Sequence, residues 1–492
     1  MKDKRKTRSA GAAQTLALLR DYESRNVTFI EPDGSWPIVW ERARGAWVWD
    51  VEGRRYLDLT AAFGVAAAGH ANPRVVRAGQ RQMARLLHAM GDVHPHPLKA
   101  QLARELSRVS FERWGTKGKT VFCNSGFEAV EAALKTAVLA TGKPGVIAFQ
   151  GAYHGLGYGT LNATYREHFR LPFVRQLREF AYFVPFPRAA QAAGPARAYE
   201  SESMAASQRD EGVALAALEL QIGKLFRRHA VGAILVEPIQ VRGGINIPPG
   251  GFLPMLRRIC DEHRALLILD EIYTGFGRTG RWFACEHSET RPDLLCLGKA
   301  LTGGFPLSAC VGRRDCMDAA WPPSSGEAIH TSTFLGHPVG CAMALAQLRE
   351  IDRQGLVARS EQLGKALAPM MESLVPNPRL RVSPRGLGLL AGVELGLPDG
   401  RPATSAALNA VKRLLHRGYI FLPEGEHGNV ISLTPPLTIS ERQLRAAVQE
   451  LRGALTATDP LRSGRQTPNR STDASSARSV KLTRRGRSAL AS

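Results

Sequence analysis

Three short stretches of this sequence carry residue types that could act together. Lys299 sits in Leu297-Gly298-Lys299-Ala300-Leu301-Thr302-Gly303-Gly304, reached from the apolar run Leu294–Leu297. Small neighbours leave room beside its amine. A lysine amine held away from water is a ready nucleophile toward a carbonyl carbon, with a Schiff base as the product. Asp270 ends a second apolar run, Leu266-Leu267-Ile268-Leu269-Asp270-Glu271. A carboxylate at the C-terminal end of a buried parallel strand lies where open α/β sheets bind ligands. Strand alternation turns Glu271 the other way. The third stretch, Asn124-Ser125-Gly126-Phe127-Glu128-Ala129, follows the apolar run Thr120–Cys123 and opens a helix predicted over 128–140. Free backbone N–H groups at such a turn, with the helix dipole behind them, hold a phosphate. Each stretch alone has a plainer explanation: a surface lysine, a helix-capping or salt-bridged aspartate, an ordinary serine cap.

Together the three have a joint meaning. A phosphate cradle, a strand-end carboxylate and a small-flanked lysine are what pyridoxal 5′-phosphate requires. The phosphate anchors it, the carboxylate keeps its pyridine nitrogen protonated, and the lysine bonds to C4′.

The surrounding elements could place these groups side by side. The runs Thr120–Cys123, Ala233–Val236 and Leu266–Leu269 lack polar alternation, as strands of a parallel sheet covered on both faces do. Helical spacing over Pro73–Leu87 and Leu98–Val109 alternates with them, which predicts a doubly wound α/β domain. Trp47–Asp50 and Tyr56–Leu59 predict a hairpin turning at Asp50-Val-Glu-Gly53. Residues 186–212 are expected to be a surface excursion before a helix at Val213–His229. A long helix is expected from Cys341 to about Gln354. After it come short strands near Leu380–Val382, Leu389–Leu395, Ile420–Leu422 and Asn429–Leu433, with helices at Ser405–Arg417 and Glu441–Leu455. That pattern predicts a second, smaller α+β unit. The resulting division is a basic disordered start (1–20), an N-terminal segment packing with the small domain (21–72), a large domain with a mainly parallel sheet flanked by helices (73–340), the small domain (341–456) and a basic tail (457–492).

From about residue 25 to 455 the chain resembles the class III, or ω-type, aminotransferases of the pyridoxal-phosphate fold type I family. The most specific stretch is Leu269-Asp270-Glu271-Ile272-Tyr273-Thr274-Gly275-Phe276-Gly277-Arg278-Thr279-Gly280, followed by Pro292-Asp293-Leu294, Gly298-Lys299 and Gly303-Gly304. Gly69-His70 before Pro73, Asn124-Ser125-Gly126, Tyr153-His154-Gly155, Glu237-Pro238-Ile239-Gln240 and Thr331-Ser332-Thr333-Phe334 agree with it. The resemblance implies that Lys299 bonds to the cofactor and carries a proton between Cα and C4′, while Asp270 pairs with the pyridine nitrogen. It implies that Ile272 and Tyr153 cover the two ring faces, and that Ser125, Gly126 and Phe127 hold the phosphate. His154, Glu237, Gln240 and Tyr273 would complete the cofactor site. Thr333 would reach the phosphate of a neighbouring subunit, so a homodimer is implied.

Several positions depart from the family pattern. Phe127 replaces a Thr or Ser, which leaves the backbone donors in place. Tyr273 stands where Gln is frequent, and its phenol could still donate to the cofactor's O3′. His337 replaces the Asn before Pro338. Ser432 occupies the place of an Arg that binds the 2-oxo acid in ornithine- and 4-aminobutyrate-type members, and Arg242 that of its partner Glu. Arg242 is either a relocated carboxylate clamp or a loop salt bridge. Loops 60–70 and 153–166 are expected to shape the substrate pocket. Among His70, His88, His94 and His96 there is no metal-ligand spacing, and His70 is the one expected to approach the site.

Composition narrows the alternatives. Of 492 residues, 44% are hydrophobic and 22% charged, the balance of a globular protein with an ordinary core. The longest apolar runs, Ala265–Leu269 and Ala61–Ala68, fall far short of the roughly 20 residues that cross a bilayer. Seven cysteines without a C-x-x-C point to free thiols in the cytoplasm and to no metal site. The net charge of +21 would raise nucleic acid as a partner, but the first eight residues and residues 459–492 hold +4 and +6 of it. No nucleic-acid-binding motif accompanies those ends. The leading expectation is an aminotransferase that moves an amino group from an amine or amino acid to a 2-oxo acid. An aminomutase or epimerase using the same residues is the alternative. A non-catalytic binding protein on this fold is the competing class, and the Lys299 and Asp270 pair argues against it.

Overall fold

The computed structural model of the protein describes residues 6–32, 34–189, 201–374 and 379–456, the side chains of 6–10 and 201–208 excepted. Its first three strands are antiparallel: β1 (Trp40–Arg44), β2 (Trp47–Asp50) and β3 (Arg55–Asp58). The β2–β3 turn closes because Asp50 Oδ1 accepts from the N–H groups of Glu52 (3.0 Å) and Arg54 (2.8 Å). Gly53 there has φ of 78°, a conformation that side chains with a Cβ resist.

The apolar runs form a seven-stranded central sheet of β4 (Gly118–Cys123), β5 (Gly145–Phe149), β6 (Ala181–Val184), β7 (Val231–Val236), β8 (Leu266–Asp270), β9 (Leu294–Leu297) and β10 (Ser308–Arg313). Their order is β4-β10-β9-β8-β7-β5-β6. Pairing is parallel from β6 through β9; β10 runs against both of its neighbours. Strands β5, β7 and β9 are buried along their whole length, which is why they carry no polar alternation. The parallel strands end together, so residues just beyond β8 and β9 share one edge of the sheet.

Helices cover both faces. Gly126–Thr141 packs over β9 and β10. Pro73–Arg85 lies against Pro338–Arg353, and the approach is close: a Cβ on Gly79 would stand 2.9 Å from Met343 Sδ. Pro338–Arg353 buries Leu348 and Ile351 completely, at about 1.5–3 kcal/mol for each such side chain. His337, in the place of the family's Asn, caps this helix by accepting from the Val339 N–H at 3.3 Å.

A third sheet follows, with β11 (Arg381–Leu387), β12 (Leu390–Gly396), β14 (Leu422–Glu424) and β15 (Val430–Leu433) antiparallel in the order β11-β12-β15-β14. Strand β13 (Tyr419–Ile420) instead pairs in parallel with β3. The single strand expected at Ile420–Leu422 is therefore split between two sheets around the buried Phe421.

Other expectations need revising. Lys6–Tyr22 is a helix rather than a disordered start. Its Ala- and Leu-rich stretch favours the helix, and Leu16 is buried. The helix expected from Val213 begins at Ser201, so residues 201–212 of the expected excursion are helical. The helix Leu356–Glu372 and strands β5, β6 and β10 were not anticipated. Residues 1–5 and the basic tail 457–492 lie outside the described residues. No helix among the described residues is long and apolar enough to cross a membrane.

Candidate active site

A cavity of about 360 Å³ opens beyond the C-terminal ends of β8 and β9. Lys299, Asp270, Ile272 and Tyr273 line it from the sheet side, and Gly126 and Phe127 from the helix Gly126–Thr141. Tyr153, His154, Glu237 and Arg242 complete the wall from loops that follow β5 and β7. Residues from positions 126 to 299 thus converge because the strands that precede them end at one edge of the sheet.

Lys299 follows β9 after one glycine and begins a short 3-10 turn with φ of 40°, a region that few non-glycine residues occupy. The turn sends its side chain into the cavity, where Nζ stands 4.7 Å from the centroid of the Tyr273 ring. Burial lowers the amine's pKa, and Arg242 lowers it further, while Asp270 and Glu237 oppose the shift. A lysine so placed exposes a neutral amine more readily than a surface lysine does.

Asp270 is only 5% exposed. Its Oδ1 accepts from the Ile272 N–H at 3.1 Å, and Oδ2 bonds to His154 Nδ1 at 2.8 Å. His154 is buried as well, and its Nε2 has no hydrogen-bond partner. Glu271 turns to the opposite side, where the N–H groups of Ala284 (2.9 Å) and Cys285 (2.8 Å) donate to it. Glu237 accepts from the N–H groups of Tyr153 (3.0 Å) and Val241 (3.2 Å). Burial first, and Asp270 next among the raising causes, push its carboxyl up to about 7.

The start of the helix Gly126–Thr141 is organised from within. The Glu128 carboxylate accepts from the N–H groups of Asn124 (2.6 Å) and Ser125 (3.1 Å). The first-turn N–H groups of Gly126 and Phe127 remain at the open helix end. Ser125 Oγ is buried outside the cavity wall, where it forms a capping box with the backbone of Glu128, and the Ser125 carbonyl is tied to Ser308 Oγ at 2.5 Å. Ile272 packs on this turn, since a Cβ on Gly126 would lie 3.1 Å from its Cδ1. Open first-turn N–H groups at a helix N-terminus fit a phosphate, and a buried carboxylate fits a protonated pyridine nitrogen. With the Lys299 amine between them, the residues fit pyridoxal 5′-phosphate.

Not every predicted residue lies in this cavity wall. Gln240 sits behind it: its Nε2 donates to the Gln150 carbonyl at 2.7 Å, and Oε1 accepts from Asn246 Nδ2 at 3.0 Å. It joins two loops and is turned away from the cavity. His70 does not approach the site either; its Nε2 bonds to the fully buried Asp58 at 2.7 Å beneath the N-terminal strands. The Tyr273 hydroxyl is engaged by Thr434 Oγ1 at 3.1 Å rather than left for the cofactor. Thr333 is exposed and outside the wall, in a loop whose Ser332 accepts from the Asn124 side chain at 3.3 Å. Arg242 lines the cavity, and its Nη1 stands 3.4 Å from Glu424 Oε2, the salt bridge that was one of its two readings. Sequence reasoning missed Glu424 and Arg166, which gather around Arg242. Position 166 ends a loop that was expected to shape the pocket, but nothing local marks Glu424.

Comparison with known proteins agrees with this geometry. Residues 30–455 match the family model described as aminotransferase class-III. The acetylornithine aminotransferase of Methanopyrus kandleri is 37% identical over 86% of this chain and 95% of its own length. The 5-aminovalerate aminotransferase of Pseudomonas aeruginosa is 35% identical over 83% of this chain and 91% of its own. Among solved structures, the ornithine aminotransferase of Toxoplasma gondii superposes with a TM-score of 0.75 at 27% identity, covering 93% of this chain and 98% of that one. An aminotransferase of Bacillus anthracis gives 0.78 at 26% identity, over 92% and 99%. With a family match over nearly the whole described chain, on a mainly parallel sheet of the fold type I arrangement, the chain belongs to the class III aminotransferases and is a pyridoxal-phosphate-dependent aminotransferase.

Proposed function

We propose that the enzyme moves the amino group of an amine or amino-acid donor to a 2-oxo acid, with Lys299 as nucleophile and proton carrier. The observation that carries this reading is the Lys299 amine facing the same cavity as the buried Asp270–His154 pair. Bound pyridoxal phosphate supplies the electron sink for charge that develops at the substrate's Cα. Lys299 would hold the cofactor through its amine. The same amine would carry the proton of the substrate's Cα, a role suited to a lysine whose pKa burial has lowered.

Asp270 keeps the pyridine nitrogen protonated, and His154 holds that carboxylate in place. Ser125 with the N–H groups of Gly126 and Phe127 takes the phosphate. Ile272 and Tyr153 enclose the ring, and Glu237 and Tyr273 wall its edge. Arg242 binds a substrate carboxylate.

The working unit is a homodimer in which Thr333 completes the neighbour's phosphate site. An exposed apolar belt supports this: Leu86, Leu87, Met90 and Val93 lie beside Ile329 and Phe334. The two segments meet where His88 and Phe334 stack edge-on at 5.4 Å and Thr331 bonds to Asp92 at 2.5 Å. A contiguous apolar surface of this kind is normally covered in solution. The enzyme works in the cytoplasm, and its seven free, buried cysteines suit a reducing compartment.

Adding donors without any 2-oxo acid to the holoenzyme tests the reading. The cofactor's absorption band then falls once per site and returns when a 2-oxo acid follows. Turnover of a donor with no second carbonyl substrate would instead indicate an aminomutase.

A further inference from the structure

We propose that the Phe127 side chain is a positioning residue: its ring seats the loop 153–160, and with it Tyr153 and His154, against the bound cofactor. The proposal rests on the reading of this cavity as a pyridoxal-phosphate site. It extends that reading to a position where the chain departs from its family, with Phe in place of Thr or Ser.

The loop follows β5 and borders the cavity over four successive residues, Tyr153 to Leu156, next to Gly126 and Phe127. Hydrogen bonds tie its inner end. The Tyr153 N–H donates to Glu237 at 3.0 Å, the His154 N–H to Thr164 Oγ1 at 3.0 Å, and Thr164 Oγ1 to the Gly155 carbonyl at 2.8 Å. From Gly155 outward the main chain lies directly on Phe127. A Cβ on Gly155 would stand 2.3 Å from Phe127 Cβ, and one on Gly157 would stand 2.7 and 2.9 Å from the ring carbons Cδ2 and Cε2. Carbon atoms in contact sit about 3.5–4.0 Å apart, so neither position has room for a side chain while the ring is there. One helical turn further on, Glu131 continues the same helix face, and its Oε1 accepts from the Thr160 N–H at 2.9 Å. The helix Gly126–Thr141 thus grips the loop with an aromatic ring at one point and a carboxylate at the next.

The two glycines meet the ring for different reasons. Gly155 has φ of 110°, so its backbone alone requires glycine. Gly157 has φ of −66° and ψ of 152°, a conformation open to any residue. What keeps a Cβ out of position 157 is the Phe127 ring. The other near neighbour there, Glu131 Oε1 at 3.1 Å, is the end of a flexible side chain that can give way. The Phe127 N–H, a phosphate donor in the proposed function, belongs to the open first turn of the helix and does not depend on the ring. Substitution at 127 therefore separates what the ring does to the loop from what the backbone does for the phosphate.

The experiment follows the holoenzyme's cofactor band. Its decay on dilution gives the rate of cofactor loss, and its circular dichroism reports how firmly the ring is held. Phe127→Ala should release the cofactor about 10-fold faster and weaken the dichroism, because the loop that covers one ring face loses its seat. Gly157→Ala in the wild-type background should do the same, since its methyl group pushes the loop off the ring. In the Phe127→Ala background the same change should add less than about twofold, the non-additivity expected of two groups in contact. If Phe127→Ala does not fold, Phe127→Thr, the residue of the family pattern, also removes the ring beside Gly157. An equal cost of Gly157→Ala in both backgrounds overturns the proposal. So does a Phe127→Ala variant that melts at a lower temperature yet keeps the wild-type release rate and dichroism, for that is a merely structural role. A wild type that takes up no pyridoxal phosphate overturns the cavity reading and the proposal with it. A wild-type band that no donor moves, with the coupling between 127 and 157 intact, overturns the aminotransferase reading alone.

Discussion

Replacing Asp270 by Asn removes one charge and almost no volume. The variant keeps an oxygen for the Ile272 N–H, now 3.1 Å away, and presents its NH2 to His154 Nδ1, now at 2.8 Å. Imidazole can accept there in its other tautomer, so the buried pair stays hydrogen-bonded and the fold should hold. What disappears is the attraction between a buried carboxylate and a protonated ring nitrogen. For unit charges roughly 3 Å apart at an effective dielectric of about 20, that attraction is about 5 kcal/mol. It corresponds to about four pKa units on the nitrogen. The amide dipole recovers part of this, so the donor half-reaction should slow by about 10²- to 10⁴-fold. Stopped-flow decay of the cofactor band measures the rate, and a melting temperature within about 2 °C of wild type shows that stability has changed by no more than about 2 kcal/mol in a chain of this length. A variant within threefold of the wild-type rate would refute the reasoning. So would a loss that follows unfolding.

Three further predictions concern groups around the site. Ser125→Ala removes the hydroxyl that caps the helix at the phosphate end, so the Kd for pyridoxal phosphate should rise about 10-fold in titrations of the apoenzyme. Glu237 has a folded pKa near 7 against 4.5 ordinarily, so the folded state holds the extra proton, and stability falls as pH rises from about 4.5 to about 7. Glu237→Gln cannot titrate, and urea unfolding across that window should lose a slope totalling about 3 kcal/mol. Asp58 accepts from Thr60 N–H (2.8 Å), Thr60 Oγ1 (2.6 Å), Ala62 N–H (3.1 Å) and His70 (2.7 Å), and so holds Ala61, Ala62, Phe63 and Gly64 at positive φ. Asp58→Ala should cost about 3 kcal/mol or more in urea unfolding, because several buried donors lose their acceptor at once.

The chemistry was legible because its residues carry local signals. Lys299, Asp270 and Ser125 each follow an apolar strand, and parallel strands that end together bring such residues to one edge. Gln240 and His70 show the limit of that reasoning. Each belongs to a recognisable motif, yet its side chain answers to a partner the motif does not name: the Gln150 carbonyl for one, Asp58 for the other. The His154–Asp270 bond spans 116 residues, and nothing near either position announces it. Glu424 was invisible for the same reason, since only the fold carries β14 to Arg242. Strand β5 was missed although Gly145-Val-Ile-Ala-Phe149 is an apolar run of the kind recognised elsewhere. Strand β10 reverses direction within the sheet, and its pairing partners settle that rather than its composition.

The central claim is that the Lys299 amine bonds covalently to the cofactor. Holoenzyme reduced with borohydride, digested and mapped by mass spectrometry tests it most directly, because reduction fixes the bond at whichever lysine made it. The account predicts the cofactor's mass on the peptide containing Lys299, and no labelled peptide from Lys299→Ala. The same mass on another lysine of the wild type, or an undiminished label in Lys299→Ala, would contradict it.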